Sequence, residues 1–210
     1  MTTDYNMIVM ARKSTTESNR PVRKRDLNRA KIIQAAAELT DKTGCGFVTL
    51  QSLAKALGVK MPSLYNHVAG QEDLQQSLAV HALERSKAIL VSASVGRSSA
   101  EAIIAICDAY RAFAHRHPGL YRAMLRVPEP NEKELRATNE AILQLLVRVL
   151  SPFRLSEEAA IHSVRAWRAM LHGFVSLEML GAFRKSPERN ESFQRMVGVF
   201  LSSLCREEHD

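Results

Sequence analysis

The chain has 210 residues, 46 % of them hydrophobic and 24 % charged, with a formal net charge of +7 at pH 7. These values are those of an ordinary globular protein able to bury a core, divided into one large domain or a small and a medium one; no apolar run reaches the ~18 residues of a membrane-spanning helix. The opening MTTDYNMIVMARKSTT lacks the apolar stretch and cleavage site of a secretory leader, so the expected compartment is the cytoplasm and no membrane partner is expected.

The positive charge gathers at one end. Between Arg12 and Lys60 stand eleven Lys/Arg and four acids (Glu17, Asp26, Glu38, Asp41), a local +7, and the remainder balances. A basic quarter on a neutral body points to an anionic partner at that end, or to a solvated tail that aids solubility. Residues 1–25 are polar, basic and without periodicity, and read as a disordered arm.

From Leu27 the pattern is helical. Leu27, Ala30, Ile33, Ala36, Ala37 and Leu39–Thr40 fall on one face, and Gly44 and Gly46 close the helix. Thr49 can cap a second helix with Leu50, Leu53, Ala54 and Leu57 inward, and Gly58 ends it. Pro62 opens a short third helix, about Met61 to Val68, at a position where its missing N–H costs nothing. Gly70 breaks that helix. Glu72 and Asp73 then suit the first turn of a fourth, predicted from Gln71 to about Ala93. A Ser/Gly-rich hinge at 92–99 precedes a helix over about 100–117 that stops at Pro118. A turn around Leu120–Leu125 follows, then helices over about 131–150, 156–183 and 188–206. No strand and no repeat is expected. The chain reads as all-α with about nine helices: a basic arm at 1–25, a three-helix domain at 26–72 and a helical bundle at 73–210.

Residues 49–74 meet the physical demands of a helix–turn–helix that reads DNA. Ala54 is small enough for two helices to cross, Gly58 is free to take positive φ, and Val59, Leu64 and Val68 anchor the second helix inward. Lys60, Met61, Ser63, Asn66 and His67 are thereby expected to face outward on a two-turn helix suited to the major groove.

These residues carry a family resemblance. The helical start Ala30-Lys-Ile-Ile-Gln-Ala-Ala-Ala37, Gly44, Thr49-Leu50, Leu53-Ala54, Leu57-Gly58-Val59 and Leu64-Tyr65-x-His67 resemble the DNA-binding domain of the Tet repressor family of bacterial transcription regulators. The run from Leu57 to Val68 is especially similar to its tetracycline repressor branch. The resemblance implies that Tyr65 and Thr49 bind DNA phosphates, and that Met61, Pro62, Ser63 and Asn66 face bases, with Lys60 on phosphate or guanine. For His67 packing against neighbouring helices is weighed beside a DNA contact. Gln71 stands where the family commonly has a phosphate-binding lysine; Arg20, Arg23, Lys24 and Arg25 of the arm are the expected compensation.

A helix–turn–helix reads few base pairs, so a two-fold dimer is expected. Ala159–Phe183 carries charge only at Arg165, Arg168 and Glu178, which suggests burial on most sides. With the last helix (Phe193, Met196, Val197, Phe200, Leu201, Leu204) it is the predicted dimer interface. The string from Trp167 through His172-Gly173 to Gly181 resembles, more weakly, the effector domain of a Trp-His-Gly branch. An effector, expected to be hydrophobic, would lie among Tyr110, Phe113, Tyr121, Met124, Trp167, Met170 and His172, each of which also suits plain core.

Other chemistries find no support. Cys45, Cys107 and Cys205 stand singly and read as buried apolar residues. His115 and His117 point apart on a helix and no His pair is spaced i,i+4, so no metal is expected. No phosphate loop, H-E-x-x-H or G-x-S-x-G occurs, so no catalytic residue or cofactor is assigned. The sequence thus supports a homodimeric DNA-binding regulator, a repressor released from a palindromic operator by a small molecule. A helical ligand-binding or interaction module with a merely architectural helix–turn–helix is the alternative, distinguished by sequence-specific, salt-sensitive DNA binding.

Overall fold

The computed structural model describes residues 27–185 and 188–205. Among these the fold is all-α, with nine α-helices, one short 3-10 turn and no strand. The arm cations Arg20, Arg23, Lys24 and Arg25 lie outside the described residues.

Helix α1 (Arg29–Thr43) starts where the Asn28 side chain accepts the Lys31 N–H at 2.9 Å. It ends at Gly44, whose positive φ of 65° lets its N–H return to the Thr40 carbonyl at 2.8 Å. Its inward stripe is Ile32, Ile33, Ala36, Ala37 and Thr40, whereas Ala30, expected inward, is exposed. Burying Ile32 in place of Ala30 removes more apolar surface from water.

Helix α2 (Leu50–Leu57) is capped by Thr49 as the sequence implies, the hydroxyl accepting the Ser52 N–H at 3.0 Å. Gly58 ends it at φ 66°. Helix α3 (Met61–Tyr65) is shorter than expected: the chain turns at Asn66–His67, although Val68 N–H still reaches the Leu64 carbonyl at 3.0 Å. Leu64 and Val68 are buried and Val59 is packed against the same cluster. Leu53 and Leu64 are fully enclosed, and each contributes about 1.5–3 kcal/mol by leaving water.

Helix α4 (Gln71–Ser94) packs on α1 and on three helices of the following bundle: α5 (Ser99–Arg116), α6 (Pro118–Ala123) and α7 (Lys133–Leu150). Half of the expected hinge is helical, because α4 runs to Ser94 and a Ser98–Glu101 capping box starts α5 at Ser99. The segment expected as a turn is α6, since Pro118 both stops α5 and opens the next helix. A 3-10 turn at Ser151–Phe153 separates α7 from α8 (Glu157–Met179), and α9 (Arg189–Leu204) completes the bundle.

The cysteine expectation holds for one residue of three. Cys107 is buried and accepts the Trp167 indole N–H at 3.2 Å, while Cys45 and Cys205 are exposed. No helix among the described residues is long and apolar enough to cross a membrane.

Candidate nucleic-acid interface and interior cavity

At the end of the molecule built by α1–α3, Lys60, Pro62, Tyr65 and Asn66 are exposed and share one surface. Tyr65 is 53 % exposed beside the packed Leu64. Thr49 is exposed one helix away, its hydroxyl accepting the Ser52 N–H at 3.0 Å and donating to Ser52 Oγ at 2.9 Å. Met61 is half-buried against the core.

Three expected contacts differ. Ser63 is 7 % exposed, turned inward beside Leu64, so it does not face outward; a five-residue helix with two adjacent buried positions presents fewer side chains than a two-turn helix would. His67 is half-buried, and its carbonyl accepts from Arg29 at 2.9 Å, which favours the packing role. Gln71 is engaged within the protein. Its amide oxygen accepts the Leu50 N–H at 2.9 Å and its NH2 donates to the Val48 carbonyl at 2.7 Å; Gln75 donates to the same carbonyl at 2.7 Å. Gln71 therefore clamps the start of α2 to α4, work for which lysine, with no acceptor, is unsuited.

Arg29 provides a second clamp. Its guanidinium reaches Asp73 at 2.8 and 2.5 Å and Ser77 at 2.7 Å, and Asp73 also accepts the Ala69 N–H at 2.8 Å. The bond from Arg29 holds the Asp73 carboxyl below its ordinary range, with burial working the other way. The helix–turn–helix is thus tied by α1 and by α2 to the first turns of α4.

The same α4 carries Leu83, Ser86 and Leu90 into the wall of a cavity of about 550 Å³ in the bundle, a size suited to a small molecule. Aliphatic side chains of α7, among them Ile142 and Leu146, and of α8, among them Val164 and Leu171, complete the wall. Tyr110, Met124, Trp167 and His172 line it as the sequence suggests. Phe113, Tyr121 and Met170 do not. Phe113 packs on His117, with ring centroids 5.4 Å apart, and Met170 lies against the core. Tyr121 stands behind the wall, its hydroxyl 2.7 Å from His172 Nδ1 and 3.1 Å from Ser176 Oγ. Burial, with Tyr121 alongside, pushes the Tyr110 phenol up, so it stays a protonated donor. Sequence reasoning missed Asn139, Arg165 and Arg168. The i,i+3 spacing of the two arginines on an otherwise apolar helix was the available signal.

The two regions meet tightly. A methyl at Gly119 of α6 would lie 2.1 Å from the Thr40 carbonyl oxygen of α1. Beside it, Asp41 accepts the Leu120 N–H at 3.0 Å and pairs with His117 Nδ1 at 2.7 Å. Arg126, after α6, bridges Glu72 on α4 and Glu132 before α7. On the far side of the bundle, Glu178 of α8 is 3 % exposed and binds Arg111 (Nε at 2.8 Å) and His115 (2.8 Å). Among the described residues no group of three potential metal-binding side chains is found.

Known proteins are similar to this chain in sequence and in fold. Residues 103–200 match the family model described as "Tetracyclin repressor-like, C-terminal domain". An HTH-type transcriptional regulator of Mycobacterium tuberculosis is 35 % identical over 156 residues, 74 % of this chain and 72 % of that one. The HTH-type regulator YobS of Bacillus subtilis is 33 % identical over 179 residues, 85 % and 93 % of the two chains. The class D tetracycline repressor of Escherichia coli is 44 % identical over 59 residues, 28 % of this chain and 27 % of the repressor. A solved protein of unknown function from Rhodococcus sp. RHA1 has the same fold, with a TM-score of 0.72 at 22 % identity over 85 % of this chain and 96 % of that one. The chain belongs to the Tet repressor family of HTH-type transcriptional regulators.

Proposed function

We propose that the protein is a dimeric repressor in which a small molecule in the α4–α8 cavity lowers affinity for a two-fold operator. The observation that carries this reading is the double attachment of α4. Its first turns are bound to the helix–turn–helix by Gln71 and Asp73, while Leu83, Ser86 and Leu90 stand in the cavity wall. A ligand that prefers a displaced α4 would change the separation of two recognition helices, which must match half-sites about one helical turn apart, ~34–36 Å.

In this reading Lys60, Pro62 and Asn66 reach base edges or the flanking backbone, and Tyr65 donates to a phosphate, as does Thr49 when its hydroxyl turns from Ser52 Oγ. The arm cations Arg20, Arg23, Lys24 and Arg25 add the phosphate charge that Gln71 does not supply. The dimer forms through the outer faces of α8 and α9. The exposed Ala166 and Ala169 and the half-buried Gly173 form a stripe of small residues on α8 that would allow close helix approach, and Leu177, Leu180 and Val199 are exposed by 46, 70 and 72 %. Trp167, His172 and Gly173 support placement in the Trp-His-Gly branch.

The test is binding of labelled DNA from upstream of the protein's own gene at two salt concentrations. Tight, sequence-selective binding that weakens steeply with salt is expected. Tyr65→Phe should weaken all sites about equally, by ~0.5–1.5 kcal/mol for one hydrogen bond; a changed sequence preference would remove Tyr65 from the phosphate role. Binding without any sequence preference would favour an architectural helix–turn–helix.

A further inference from the structure

The cavity in the bundle is mostly aliphatic, but its charge is one-sided. None of the residues that line it is acidic, and two are arginines, Arg165 and Arg168. They lie three apart on α8 and so share a face. Neither forms an ion pair or side-chain hydrogen bond among the described residues, and both are solvent-accessible at the cavity edge. This differs from the other arginines that tie the fold: Arg29, Arg111 and Arg126 each bind a carboxylate. Water solvates both guanidiniums, and both stand beside an apolar chamber, free to take the anionic group of a ligand seated in it.

We infer that the cavity takes an amphipathic carboxylate, its acid group held by Arg165 and Arg168 and its hydrocarbon part in the aliphatic chamber. This rests on the reading of the cavity as an effector site. A planar carboxylate matches the guanidinium fork with two parallel N–H···O bonds. The Tyr110 phenol, kept protonated by burial, is a further donor in the wall. A neutral oil would gain nothing from the two guanidiniums, and an organic cation would meet two like charges.

The full-length protein provides its own reporter, since Trp167 is the single tryptophan and lines the cavity. Decanoate, decanol and decyltrimethylammonium share a chain and differ in head group; each is titrated while Trp167 emission is followed. The expected result is decanoate binding at least about tenfold more tightly than decanol, the effect of one charge-assisted hydrogen bond, with the cation weakest. The doubly substituted Arg165→Gln, Arg168→Gln protein should lose the preference for decanoate over decanol. Equal affinity for acid and alcohol, or a preference surviving both substitutions, overturns the carboxylate inference while leaving the cavity a ligand site. No binding of any of the three overturns the effector-site reading itself, and the inference with it.

Discussion

At the scale of single residues, Glu178 and Gln71 show how polar side chains were reassigned by their surroundings. In the sequence Glu178 is one of three charges on an apolar helix. In the fold it is almost fully enclosed, where Arg111 foremost holds its carboxyl at about 2 against the opposing effect of burial, with His115 contributing. Arg111 in turn lies over the Phe193 ring at 4.7 Å. Glu178→Gln should lower unfolding stability by about 2–3 kcal/mol, because the guanidinium is left partly buried and unpaired; denaturant titration at pH 7 reads this directly. The folded pKa lies below the ordinary 4.5, so this stability is fully present above about pH 4.5 and is lost as pH falls toward 2. The wild-type and Glu178→Gln unfolding curves should therefore converge across that window. Gln71 occupies the position of a DNA-binding lysine in the family resemblance, and its contacts are internal instead. Gln71→Ala should destabilise the free protein by about 1–2 kcal/mol, since the buried-side amide of Leu50 loses its acceptor; unchanged stability in the absence of DNA would return Gln71 to the interface.

At the scale of helices, spacing and caps were legible where each helix is amphipathic and bounded by Gly, Pro, Ser or Thr. The ends at Gly44 and Gly58, the cap at Thr49 and the starts of α4 and α7–α9 fall within a few residues of their expected places. What was not legible depends on neighbours distant in sequence. Ser63 turns inward beside Leu64 in a five-residue α3, and Asp41, 79 residues away, accepts the Leu120 N–H in α6. Of the cavity wall the aromatic and sulfur-bearing members on α5, α6 and α8 were found in part. The aliphatic contributions of α4 and α7 were not, because an aliphatic residue facing a void has the same sequence signature as one facing a core. The α1–α6 contact gives its own prediction. Gly119→Ala cannot be accommodated 2.1 Å from a backbone carbonyl, so the helices must separate at a cost of about 1–3 kcal/mol. Calorimetry should show lower stability, and DNA binding should weaken without any ligand added.

At the scale of the whole molecule, two-fold association is the condition for operator reading. The outer face of α8 continues past Met179 to Leu180 and meets Val199 of α9 in exposure. Leu177→Glu with Leu180→Glu should leave a folded monomer, since neither side chain is buried in the single chain. Light scattering should give half the wild-type mass, and operator affinity should fall by about 1,000-fold or more when one half-site must suffice. A dimer that persists would place the interface elsewhere.

The close contact at Gly119 has a mechanical meaning for such a dimer. Packed protein interiors are nearly incompressible, and here even a methyl's worth of clearance is missing between α6 and α1. A push on α6 from the bundle finds no slack to absorb it at that point, so it passes into α1 as displacement. In the proposed repressor the joint would act as a stiff bearing, coupling movement of the bundle to the helix–turn–helix.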